Sequence, residues 1–111
     1  MDSTRQQKIA KLIQKELAEI FLADSLPVYD CMITVTKTTV TKDLSIARSY
    51  LSIFNAEDNE AVIKAVRANI KDIRYRLGQK IRQQVRVIPQ LEFFIDDSLD
   101  YIENIEKLLK Q

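Results

Sequence analysis

The spacing of the apolar residues changes several times along the chain, and few folds accommodate the order of elements that it predicts. Near the start, apolar residues recur every three or four positions, which predicts a helix with one buried face: Ile9, Leu12, Ile13, Leu17, Ile20 and Phe21. Pro27 is expected to end this helix, because proline disfavours helical backbone at the residue before it. Cys31–Lys42 and Ala47–Phe54 are then rich in alternating or β-branched residues, and the short polar link between them predicts an antiparallel hairpin.

The first of these strands changes face partway along its length. Ile33 and Val35 share one face, whereas Val40 falls on the opposite one. This change of face predicts a bulge or a twist within the strand.

The second half of the chain returns to a helical period and then to alternation. The apolar positions of the helical run are Val62, Val66, Ile70, Ile73, Leu77 and Ile81. Because this run is longer than an average helix, we predict a break or kink between Ala68 and Gly78. Leu91–Ile95 alternates after Pro89 and predicts a third strand. A final helix is expected to follow, capped by one of three residues: Asp96, Asp97 or Ser98.

These elements predict a single α+β domain over residues 1–111, with a three-stranded sheet packed on helices. The N-terminus is polar, and no apolar run approaches the length of a membrane span, so we expect a cytoplasmic protein without a membrane contact.

Absent residue types argue against an enzyme. The chain has no histidine, which removes the common catalytic triads and nearly every common zinc site. Its single cysteine, Cys31, allows no internal disulfide, and its single glycine, Gly78, allows no glycine-rich phosphate loop. We therefore expect no catalytic residues, no metal and no cofactor.

The net charge of +1 hides a strongly basic segment. Residues 61–90 carry one acidic side chain, Asp72, and eight basic ones, so their net charge is +7. The basic residues are Lys64, Arg67, Lys71, Arg74, Arg76, Lys80, Arg82 and Arg86. Residues 91–111 have a net charge of −4. A segment this basic predicts a polyanionic partner, and we take these eight residues as candidate RNA-binding residues.

Helical spacing places the first four of these cations on one solvent face, opposite the apolar stripe. Arginine pairs with phosphate through two parallel hydrogen bonds, which favours RNA as the partner. Tyr75, the one aromatic residue in the segment, is expected to be partly buried rather than to stack on a base. Two alternatives remain: a solvated face balanced by the acidic C-terminal segment, and a protein-interaction or self-association module without RNA.

The predicted order of elements matches a type II KH domain, an RNA-binding fold, but the chain lacks the GxxG loop with which ordinary KH domains clamp nucleic acid. The local sequence resembles the ribosome-binding factor A family. The matching stretches are Arg5–Ile9 with Ile13–Leu17, Ile33–Thr36 with Thr39–Ala47, Ile73–Arg74 with Leu77–Arg82, and Ile88–Phe93 with Asp96–Leu99. That family usually breaks its central helix at an alanine-x-glycine kink. Here the nearest candidates are Ala68, Asn69 and Ile70, or Asn69, Ile70 and Lys71, and neither set has the glycine.

The resemblance implies a cytoplasmic, non-enzymatic ribosome assembly factor. Such a protein binds the rRNA of the immature 30S subunit, assists late 16S rRNA processing and maturation, and matters most in the cold. The implied partners are the small subunit with its rRNA and an assembly GTPase that acts on the same subunit. Away from the ribosome, a monomer is expected.

Overall fold

The computed structural model describes residues 3–96, which form three helices and one sheet. The elements in chain order are α1 (Thr4–Tyr29), β1 (Met32–Val40), β2 (Ile46–Phe54), α2 (Asn59–Ala68), α3 (Ile70–Ile81) and β3 (Gln90–Ile95). The α+β class and this order are as predicted. The final helix predicted from the sequence lies in residues 97–111, outside the described part of the chain. Within residues 3–96, no helix combines the length and the apolar character needed to cross a membrane.

The three strands lie in the order β1-β2-β3. β1 and β2 form the predicted antiparallel hairpin, whereas β2 and β3 run parallel. The register of the hairpin shifts between Val35 and Lys37, so Thr36 is an extra residue in β1. This bulge returns Val40 to the buried face that Ile33 occupies, and the predicted change of face in β1 is confirmed.

The helices cover one face of the sheet, where one hydrophobic core forms. α1 packs mainly on β1 and also on α3, while α2 packs on β3. Phe21 of α1 and Phe93 of β3 meet at the centre with ring centroids 5.6 Å apart, in an edge-to-face arrangement. Both side chains are fully buried, so this pair joins the longest helix to the outer strand.

The predicted end of the first helix at Pro27 is wrong. α1 continues through Pro27 to Tyr29, and Asp30 ends it in the left-handed region at φ 55°. Proline removes a single backbone donor, and other bonds hold this last turn: the Cys31 N–H donates to the Ser25 carbonyl at 3.1 Å. The buried Ser25 hydroxyl also accepts from the Ile33 N–H at 3.0 Å, which ties the end of α1 to the start of β1.

Candidate nucleic-acid interface

The central helical run breaks at one residue. α2 ends at Ala68 and α3 begins at Ile70, while Asn69 between them has φ −96° and ψ 11°. This backbone conformation is sparsely populated, and asparagine is among the residues that tolerate unusual conformations. The Asn69 side-chain amide donates to the Tyr29 hydroxyl at 3.3 Å, which holds the break against the end of α1. Burial raises the pKa of Tyr29 above its usual value, while this hydrogen bond opposes the rise. The break thus occurs without the glycine that the family pattern would supply.

A groove runs between the broken helix and the outer edge of β3. β3 bonds to β2 through alternate residues, as in the 2.8 Å bond from the Gln90 N–H to the Ser45 carbonyl. The backbone groups of Leu91 and Phe93 therefore point away from β2, toward α2 and α3. No other described strand pairs with this edge of β3. This edge of β3 therefore presents backbone groups without a strand partner alongside the helix break, and one of them, the Phe93 carbonyl, accepts hydrogen bonds from Arg67.

Two arginines fasten the helices to this strand edge. Arg67 donates to the Phe93 carbonyl from Nε at 3.2 Å and from Nη2 at 2.8 Å, and its guanidinium lies 5.9 Å from the centre of the Phe94 ring. Arg74 donates from Nε to the Pro89 carbonyl at 3.0 Å and from Nη2 to the Ile88 carbonyl at 2.7 Å. A carbonyl does not neutralise the guanidinium charge, and each arginine keeps N–H donors on Nη1. Both side chains are therefore positioned, charged and able to bind an anion.

The groove contains two adjoining depressions. The first has a volume of about 290 Å³ and is lined by residues that include Arg67, Ile70 and Leu91. The second, of about 360 Å³, shares Ile70 and Leu91 and adds Lys71 and Arg74. The wall that the two depressions share is apolar. Arg67, Lys71 and Arg74 add three cations to the lining, and its one acid, Glu92, pairs with Arg48. This is the arrangement expected for a site that takes a base inside and phosphates at the rim.

Seven of the eight predicted cations are exposed, all except Arg76. Four of these seven have side chains that form no hydrogen bond or ion pair with another residue of the described range 3–96: Lys64, Lys71, Arg82 and Arg86. Together with Arg67 and Arg74, they give six basic side chains without an acidic partner in that range. We call these six residues the cationic face. Their unneutralised charge is the electrostatic feature that an RNA backbone would match.

The other two predicted cations lie on the side of α3 that faces α1. Arg76 makes two hydrogen bonds to Asp24, at 2.6 and 3.2 Å, and they raise the pKa of Arg76 above its already high value. Lys80 lies 3.5 Å from Glu16 and 3.3 Å from Glu19. Since their charges are already matched by α1, Arg76 and Lys80 are not part of the cationic face.

Arg76→Gln is expected to lower the free energy of unfolding by up to about 1 kcal/mol, because it leaves the largely buried Asp24 carboxylate without its partner. Arg82→Gln removes the same charge from α3 and breaks no described contact, so its stability should equal that of the unmodified protein. Urea unfolding followed by circular dichroism measures both. Equal stability of the two variants would contradict a structural role for Arg76.

Tyr75 differs from the sequence-based expectation, since 68% of its surface is exposed. It lies beside Arg74 and Arg82 at a shallow depression that also contains Gly78. The apolar period of α3 leaves Tyr75 on the outer side, away from the core residues Ile73 and Leu77.

Arg5 and Lys42 are basic residues that the sequence interpretation did not include. Both line one cavity with Arg86, although they come from the start of α1 and from the β1–β2 turn. Arg5, Lys42 and Arg86 lie in three separate parts of the sequence, so no local pattern connects them. Only the folded chain brings the three together.

Residues 5–109 match the family model described as ribosome-binding factor A. The ribosome-binding factor A of Cytophaga hutchinsonii is 42% identical to this chain over 112 residues, which is 100% of this chain and 84% of that relative. This match extends over nearly the whole length of both proteins.

Solved structures share the fold. The crystal structure of ribosome-binding factor A from Thermus thermophilus superposes with a TM-score of 0.68 at 23% identity, over 81% of this chain and 94% of that one. A homology model of the Thermus thermophilus protein, fitted into a cryo-EM map of a 30S complex with it, gives a TM-score of 0.63 at 24% identity, over 78% and 89% of the two chains. These likenesses confirm the predicted KH-like fold, and the full-length match to the family model and to the Cytophaga protein shows that the chain belongs to the ribosome-binding factor A family.

Proposed function

We propose that this protein is an assembly factor that binds the rRNA of the immature 30S subunit and assists late processing and maturation of 16S rRNA. The observation that carries the proposal is the cationic face, three of whose residues, Arg67, Lys71 and Arg74, line the groove between the broken helix and β3. Membership of a family of ribosome-binding, non-enzymatic proteins supports it, as does the 30S complex of the Thermus relative. The whole chain, residues 1–111, would act as one KH-like RNA-binding domain in the cytoplasm.

The groove suggests how RNA is held without a GxxG loop. Lys71 and Arg74 would bind phosphates at the rim, while a base enters between Ile70 and Leu91. The outward backbone groups of β3 are available to hydrogen-bond the edge of that base. Arg67 and Arg74 are already fixed by backbone carbonyls, so little side-chain entropy is lost when RNA binds. An unpaired RNA segment fits this geometry better than a duplex, whose base edges are not accessible in its deep major groove.

Further expectations follow from the same proposal. The protein acts as a monomer away from the ribosome, and an assembly GTPase on the same subunit promotes its release. Its role is greatest in the cold, where misfolded rRNA rearranges slowly. Deletion of the gene should then lead to accumulation of 16S rRNA precursor at low temperature.

Sucrose-gradient sedimentation tests the proposal directly. At low salt the protein should co-sediment with free small subunits, and it should bind subunits that contain precursor 16S rRNA more tightly than mature ones. Raising the salt concentration should release the protein. For each tenfold rise in salt, the logarithm of the binding constant should fall by about 0.7 to 0.9 for every phosphate that the protein contacts. Recovery only at the top of the gradient at low salt would contradict the proposal.

The alternative, a self-association module without RNA, depends on pairing between the basic segment and the acidic residues after Leu91. Most of those acids lie in residues 97–111, outside the described range, and Glu92 within that range pairs with Arg48. Sedimentation velocity of the isolated protein distinguishes the two functions. A salt-sensitive dimer that does not bind subunits would favour the alternative.

A further inference from the structure

A second cationic site lies at the end of the molecule where three separate segments meet. A cavity of about 310 Å³ is bounded by the start of α1, the turn between β1 and β2, and the chain that leads into β3. Its lining includes the three basic residues Arg5, Lys42 and Arg86, over an apolar floor to which Ile9, Leu44 and Pro89 contribute. Each wall of the cavity thus supplies one cation.

Hydrogen bonds hold these walls in place. The Gln6 side chain donates to the Val40 carbonyl at 3.0 Å, which joins the start of α1 to the end of β1. The start of β3 is joined to β2 by the backbone bond from Gln90 to Ser45, described above. Within the turn, the Leu44 N–H donates to the Thr41 carbonyl at 2.8 Å. These bonds fix the positions of the three walls relative to one another.

The charge around this cavity is not balanced from within. Arg5, Lys42 and Arg86 are exposed and form no ion pair with residues of the described range. Asp43 is the one acid in the lining, and its Oδ1 accepts hydrogen bonds from the Ser45 hydroxyl at 2.7 Å and the Thr41 hydroxyl at 2.8 Å. These bonds lower the pKa of Asp43, so it stays ionised and contributes one negative charge against the three positive ones. The cavity therefore keeps a net positive charge.

Arg5 also occupies an unfavourable position for a cation in isolation. It lies in the first turn of α1, where the helix dipole is positive, and that turn contains no acidic residue. A bound anion would relieve this repulsion and would accept hydrogen bonds from both arginines.

We propose that this cavity binds a phosphate group of the rRNA backbone through Arg5, Lys42 and Arg86. The inference rests on the proposed RNA-binding function and extends the contact surface beyond the segment from Lys64 to Arg86. Arg82 lines a depression together with Arg74 of the groove, and it lies four positions before Arg86 in the chain, so a strand leaving the groove would pass Arg82 on its way to the cavity. The apolar floor suits the ribose that adjoins the bound phosphate.

The test compares two triple variants that remove the same charge. The cavity variant is Arg5→Gln, Lys42→Gln and Arg86→Gln; the control is Lys11→Gln, Lys15→Gln and Lys37→Gln, three exposed lysines outside the cavity. Binding of each full-length protein to salt-washed bacterial small subunits is measured over a series of KCl concentrations. For the cavity variant, the slope of the logarithm of the binding constant against the logarithm of the salt concentration should be shallower by about one for each phosphate contact removed. Its affinity near 0.1 M salt should fall about tenfold. The control should change less than threefold.

Thermal unfolding followed by circular dichroism should show that neither variant is less stable than the unmodified protein, because none of the six side chains forms a described hydrogen bond or ion pair. Loss of Arg5 removes its repulsion by the helix dipole, so the cavity variant should be slightly more stable. Equal salt slopes and affinities in the two variants would overturn the phosphate site while leaving the proposed function intact. An unmodified protein that fails to bind small subunits would overturn the proposed function, and the phosphate site with it.

Discussion

A variant in which Lys64, Lys71, Arg82 and Arg86 are all changed to glutamate is expected to lose small-subunit binding by more than about a hundredfold. Each substitution removes a cation that would displace counterions from an RNA phosphate. It also adds a negative charge that repels the phosphate. The four side chains make no described contact with the rest of the protein, so the variant should remain folded. Subunit binding is measured by sedimentation at about 0.1 M salt, and folding by circular dichroism.

The matched control changes four exposed lysines away from the cationic face to glutamate: Lys8, Lys11, Lys15 and Lys37. It has the same net charge as the first variant, so any effect of overall charge on association appears in both. We expect the control to keep most of its affinity. If both variants lost affinity equally, binding would follow net charge alone, and the cationic face would not be the interface.

Phe93→Ala is expected to lower the free energy of unfolding by about 3 to 5 kcal/mol, which is a large part of the 5 to 15 kcal/mol typical of a domain. The substitution opens a cavity in the core and removes the edge-to-face contact with Phe21. It also loosens the strand whose carbonyl binds Arg67. Guanidinium chloride unfolding followed by circular dichroism measures the loss.

The neighbouring Phe94→Ala provides the comparison for this prediction. Phe94 is half-buried on the outward face of the sheet, where its ring lies 5.6 Å from that of Tyr50. Its loss should cost clearly less than that of Phe93, because water already reaches part of the ring. A smaller destabilisation by Phe93→Ala than by Phe94→Ala would mean that the core is not centred on the contact between α1 and β3.

Features that depend on near neighbours in the chain were predictable. The bulge in β1 follows from the spacing of Ile33 and Val40. They are an odd number of positions apart, so a strand can bury both on one face only with one extra residue between them. The helix break falls within the predicted stretch, at Asn69. The end of α1 was not predictable in this way, because the bonds that carry the helix past Pro27 come from Ser25 and from the start of β1.

Which basic residues belong to the binding surface depends on contacts between distant parts of the chain. The basic segment was evident from composition, yet the separation of Arg76 and Lys80 from the other cations is caused by acids of α1 that lie more than fifty residues earlier in the chain. The same applies to Arg5 and Lys42, whose proximity to Arg86 exists only after folding. Sequence periodicity assigns residues to faces of one helix, but it does not show which neighbouring element already neutralises a face.

The parallel pairing of β2 and β3 has a consequence for the order in which the molecule assembles. The hairpin of β1 and β2 joins residues that are close in sequence, whereas β2–β3 partners such as Arg48 and Glu92 are 44 positions apart. Closing the longer loop costs more chain entropy, so this pairing is expected to form after the hairpin. The groove for RNA needs β3 in place, so we expect it to form after the hairpin, and a newly synthesised chain should acquire its affinity for RNA only after that later step.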